Sequence, residues 1–237
     1  MEQRALEILG QLAALSLLVA VGVGCVEDTD ETKVGAGETG AGGGSGTNDH
    51  LFTQEVRVSN LPDQCTAEHV RSSSPGAGEE GLVTVARLAP PSYPFMVESI
   101  GYALMNLTKS LDGYSEAYCS SKHSHRVWVS KGTALDPGAT PDVVESFDVS
   151  GGNSAEAIDW LEHQLSQPLI LNEGEQLFVA VELTGTFPEV MCLARCADDT
   201  APQANYWSLD QQAPYGWVEL SAAGADGDLA VTAYGWL

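Results

Sequence analysis

From Leu51 to the C-terminus, apolar residues come in short alternating runs cut by turn signals, and that rhythm admits few folds. Candidate strands are Phe52–Val58, Leu82–Leu88, Phe95–Leu107, Ala117–Ser130 and Val143–Val149. They continue with Trp160–Leu165, Gln176–Leu183, Val190–Ala194, Asn205–Leu209, Gly216–Leu220 and Asp228–Trp236. In Gln176–Leu183, the residues Leu177, Val179, Val181 and Leu183 recur at every second position and should share one face. Leu61-Pro62-Asp63, Ala89-Pro90-Pro91, Asp112-Gly113, Asp136-Pro137-Gly138 and Asn172-Glu173-Gly174 punctuate the runs. Many short strands at this spacing predict an all-β sandwich or barrel. One stretch is ambiguous: Ser154 could cap a helix over residues 155–162, but its second half reads as strand ahead of Ser166-Gln167-Pro168 and the edge-like run Leu169-Ile170-Leu171.

Of 237 residues, the first 50 have a different character, leaving about 187 to fold. A domain of that size buries roughly 70% of its unfolded surface, enough for a substantial core. Thirty-three acidic residues against 10 Lys and Arg give a formal net charge of -23. Such a surface repels phosphates and has no basic stripe, which excludes nucleic acid as a partner and disfavours anionic lipid surfaces. The charge itself reads first as solubility and second as a surface for cations or a basic partner.

The first 50 residues have an order of their own. Ile8 to Val23 is a 16-residue, mostly apolar stretch that suits a signal peptide and is short for a membrane-spanning helix. It ends at Gly22-Val23-Gly24-Cys25. Small residues before a cysteine resemble the lipobox of bacterial lipoproteins, with Gly22 standing where Leu is usual. The resemblance implies cleavage after residue 24 and a diacylglycerol on Cys25. Arg4 is the leader's only basic side chain, opposed by Glu2 and Glu7, so secretion after ordinary cleavage and an uncleaved helical anchor stay as alternatives. Residues 26–50 hold six acids, one Lys and seven Gly, a composition that predicts a disordered tether. Twenty-five such residues span roughly 25–30 Å as a random coil, enough to lift a domain clear of lipid headgroups. Val26 in the second mature position resembles lipoproteins passed to the outer membrane. The organisation expected is a signal peptide over 1–24, a lipidated cysteine and tether over 25–50, and a β-sandwich over 51–237.

Beyond Cys25 there are four cysteines: Cys65, Cys119, Cys192 and Cys196. An even number in an exported chain predicts two disulfides, for which three connectivities exist. Cys65–Cys119 with Cys192–Cys196 is the pairing favoured here, because the second pair would close a short loop at a hairpin end. Three residues separate Cys192 from Cys196, which departs from the C-x2-C spacing of zinc sites.

Toward the C-terminus the order of segments is Glu173 to Val181, then Asn205-Tyr206-Trp207-Ser208, then Gly216 to Leu220, then Asp228 to Gly235. This succession resembles the last strands of jelly-roll accessory modules carried by secreted bacterial proteases and other surface proteins, over residues 81–237. The resemblance implies a jelly-roll-like antiparallel β-sandwich with an accessory role, no catalytic residues to carry over, and room for a structural calcium.

No constellation points firmly to chemistry. His123 and His125 flank Ser124 in a candidate strand and should share a face, a spacing fit for a metal pair, but no third ligand is identifiable and a solvated polar face is the plainer reading. His50, His69 and His163 are scattered. No G-x-S-x-G elbow stands between strand and helix, and Gly44-Ser45-Gly46 falls in the tether. Asp198-Asp199 and Asp226 with Asp228 read as solvated turn charge. Trp128, Trp160, Trp207, Trp217 and Trp236 are expected in the core, with a sugar-stacking platform as the alternative. The expectation is a non-enzymatic binding or scaffolding lipoprotein without metal or cofactor. It is held in the cell envelope, outer-membrane-anchored and facing periplasm or surface, with an envelope protein or a glycan as partner. A carbohydrate-binding module is the first alternative and a hydrolase of unrecognised type the second.

Overall fold

In the computed structural model, residues 52–61, 65, 70–73, 82–107, 118–135, 142–152, 156–197, 205–208, 210, 214–223 and 227–237 are described. Cys25, the leader and the tether lie outside them, as do His50, His69, Asp198, Asp199 and Asp226.

The regular structure of the described residues is strand apart from one 3-10 turn at Ser221–Ala223. In chain order the strands are β1 (Glu55–Ser59), β2 (Val70–Ser73), β3 (Leu82–Leu88), β4 (Phe95–Met105), β5 (Tyr118–Cys119), β6 (His125–Gly132), β7 (Val143–Val149) and β8 (Ile158–Leu171). There follow β9 (Gln176–Leu183), β10 (Gly185–Thr186), β11 (Glu189–Val190), β12 (Leu193–Cys196), β13 (Asn205–Ser208), β14 (Val218–Glu219), β15 (Asp228–Leu229) and β16 (Val231–Trp236). A seven-stranded sheet runs β1-β16-β4-β12-β15, with β8 on β4 and β2 on β12. A six-stranded sheet runs β14-β13-β3-β9-β6-β7. Apart from β11 beside β5 in a small third sheet, the pairings are antiparallel. The two large sheets face each other as a jelly-roll-like sandwich, and residues Phe52–Leu237 form one compact unit.

Alternation decides which side chains meet between the sheets. Leu177, Val179, Val181 and Leu183 of β9 do share the inner face, with Val127 and Val129 of β6 beside them. Ile100, Tyr102 and Leu104 of β4 and Val231 and Ala233 of β16 face them from the other sheet. Each such side chain contributes about 1.5–3 kcal/mol by leaving water. The ambiguous stretch is strand from Ile158, and it runs without a break through Pro168 to Leu171. Pro168 is tolerated because β8 pairs with β4 on one side and the register shifts between Val97 and Ser99, leaving residues 165–168 outside the ladder.

The disulfides correct the favoured pairing. Cys65 is bonded to Cys196 and Cys119 to Cys192, with Cα separations of 5.9 and 5.5 Å. Cys196 ends β12 and Cys192 immediately precedes it, so no hairpin brings them together. Four residues of extended chain span about 13 Å, twice the reach of a disulfide. Each cysteine instead bonds across to a distant segment, closing loops of 131 and 73 residues.

Candidate functional site

The histidine pair differs from its expected placement. Residues 121–124 form a turn, and β6 begins only at His125, so the two rings do not share a strand face. His125 is buried, with Nε2 2.7 Å from the Tyr102 hydroxyl and Nδ1 2.9 Å from the His123 carbonyl. The carbonyl can only accept, so Nδ1 carries the proton and Nε2 accepts from Tyr102. Burial pushes the His125 pKa down and, with Asp159 adding to it, pushes the Tyr102 hydroxyl up. His123 lies outside this pair, its Nε2 3.9 Å from Glu189. The Glu189 carboxyl is held below its ordinary range chiefly by a hydrogen bond from Ser120, helped by Tyr118. Both nitrogens of His125 are therefore occupied, and among the described residues no three His, Cys, Asp or Glu side chains converge as a metal site. Asp228, expected on a solvated turn, is 3% exposed.

An open recess of about 400 Å3 lies beside this end of β6, lined by Ser124, Arg126, Asp148, Glu182 and Thr184 with His125. Arg126 is held there by Glu182 at 3.5 Å and lies over the Trp128 ring. Its charge is met there by Glu182.

The two outer sheet faces differ more informatively. On the six-stranded sheet, Val83, Val85, Trp128, Phe178 and Ala180 point outward yet are buried. The chain itself covers them: Tyr215 stacks on Trp128 and meets Trp217 at 4.8 Å between ring centroids. Trp128 and Trp217 are thus core anchors, as expected, and Trp207 packs against the inner core.

The outer face of the seven-stranded sheet is likewise covered toward β12 and β15, where Ala103, Cys192, Ala194 and Ala230 are buried, but not along β16. Tyr234 and Trp236 of β16 are half-buried, belong to none of the hydrophobic clusters, and alternate with the inward-facing Ala233. Opposite them on β1 stand the exposed Arg57 and Glu55. On the other flank, Ser99 donates to Glu162 at 3.0 Å and Gln164 donates to the Glu98 carbonyl. Trp160 of β8 lies over Gly101, where a Cβ would come within 2.9 Å of its ring. The face is held in register by Gly235, whose missing Cβ would otherwise sit 1.9 Å from the Met96 carbonyl oxygen.

No protein family, curated protein or solved structure matches this chain. Trp160 packs against the cluster around Ala103 and Cys192, and Trp236 is the tryptophan that belongs to none of the clusters among the described residues. The signal that could have found Tyr234 and Trp236 is their i, i+2 spacing in alternation with Ala233 and Gly235, since small residues inward leave the large rings on the opposite face.

Proposed function

We propose that this protein is a non-enzymatic binding module of the cell envelope, tethered through a lipid on Cys25, that engages a macromolecule with the outer face of its seven-stranded sheet. The observation that carries this reading is the strip along β16 and β1 that the chain leaves uncovered on that face. The chain covers the outward residues of the six-stranded sheet with Tyr215 and Trp217, and buries Ala103, Ala194 and Ala230 of the seven-stranded sheet under Cys119, Val190 and Trp160, but leaves Tyr234 and Trp236 partly in solvent beside Arg57 and Glu55. Large amphipathic rings beside an arginine are what binding surfaces concentrate. Two disulfides support an oxidising compartment, in keeping with export. The polar recess beside β6, with its arginine already paired, offers less to a reaction than the open face offers to a ligand.

The test uses the full chain, extracted from membranes and immobilised, against fractionated envelope. Wild type should retain a component that the Y234A/W236A double variant loses. Retention by both alike would contradict the reading, as would a substrate turned over at the Arg126 recess and not by an Arg126→Ala variant.

A further inference from the structure

We infer that the Tyr234–Trp236 face binds an extended, uncharged polysaccharide; this rests on the binding role proposed above and names its ligand. Tyr234 and Trp236 are two residues apart on one strand, so their side chains leave the same face about 7 Å apart along it. Two partly exposed rings in a row let successive sugar units of one chain lay their C–H faces against aromatic surface. Sugar hydroxyls need planar donors and acceptors at the edges of such a track, and the exposed Arg57 and Glu55 stand directly across from the two rings. The strip around the two rings, flanked by the exposed Glu162 and Gln164, is an open sheet surface. A small molecule would want a concave pocket that buries most of its area, and a protein hot spot a fully desolvated one, so an extended chain laid across the strands fits better. Charge then narrows the polymer. With a formal net charge of -23, the protein repels uronate- or phosphate-bearing chains, and one arginine flanked by Glu55 does not reverse that field.

Affinity electrophoresis of the mature full chain through gels containing xyloglucan, β-1,3-glucan, galactomannan or alginate tests this. At least one neutral polymer should retard the wild type, and alginate should not. Y234A/W236A should weaken that interaction roughly tenfold or more. Arg57→Ala, an exposed position that leaves the core intact, should weaken it as well, and a circular dichroism melt checks that each variant is folded. Retardation by alginate alone, no retardation by any neutral polymer, or equal retardation of folded wild type and double variant overturns the inference. If neutral polymers fail but an envelope protein is retained by wild type and lost by Y234A/W236A, the glycan assignment falls and the binding face stands. If nothing retained depends on these rings, both fall.

Discussion

The contact between Tyr102 and His125 ties the two sheets together through a single pair of polar atoms in an apolar interior. Phenylalanine at position 102 would keep the ring and leave His125 Nε2 buried without a donor. We expect Tyr102→Phe to cost about 1–3 kcal/mol, measured as a shift in the urea midpoint. The same burial sets a pH dependence. His125 is less basic folded than unfolded, so as the pH falls the unfolded chain takes up this proton first. The stability it confers is complete above about pH 6.5 and is lost progressively below that. Comparing urea unfolding at pH 8 and pH 5.5, wild type should lose more stability than His125→Gln; an equal loss would place the proton elsewhere. Neither effect is visible in the sequence. The His123-Ser124-His125 spacing looks like a pair on one face only while residues 120–124 are taken as strand, and the turn there separates the rings.

Three strands, Leu82–Leu88, Val143–Val149 and Gln176–Leu183, coincide with the expected ones because each is a short run rich in β-branched and apolar residues bounded by turn residues. Where the expectation fails, the cause is long-range. Ala117–Ser130 breaks into β5 and β6 around the turn over residues 121–124, and Val190–Ala194 divides into β11 and β12. The two-residue β10 and the four-residue β2 exist through pairing with β11 and β12 and carry little periodicity of their own. Phe178 and Ala180 show how a face reads as outward by alternation and is buried all the same, since a segment some 35 residues downstream covers it. Removing that cover tests its weight: Trp217→Ala should cost about 3–5 kcal/mol and increase binding of a hydrophobic dye to the six-stranded sheet. At β16, Gly235→Ala forces a Cβ onto the Met96 backbone, so the strand must shift. It should cost more than about 2 kcal/mol and move Trp236, seen as a change in tryptophan emission.

At the scale of the whole molecule, the disulfides bind the strand around Cys192–Cys196 to segments 73 and 131 residues away. In the chain-entropy account each contributes about 4–5 kcal/mol by restricting the unfolded chain. Peptide mapping without reduction should recover Cys65 with Cys196 and Cys119 with Cys192, and recovery of Cys192 with Cys196 would contradict the fold's topology. The sandwich itself was legible from strand spacing, whereas partner cysteines depend on which strands become neighbours, and no local pattern records that. On the proposed tether, Cys25→Ser should move the protein out of the membrane fraction; an uncleaved chain that stays there would make the leader a helical anchor. The central claim is that the strip around Tyr234 and Trp236 is open to a ligand, whereas Trp217 is enclosed by the chain's own packing. A diazirine-bearing residue placed at position 236, and in a second protein at position 217, can be photoactivated in intact cells. The account predicts an intermolecular adduct from position 236 and only intramolecular products from position 217. Adducts of equal yield from both positions, or none from 236, would contradict it.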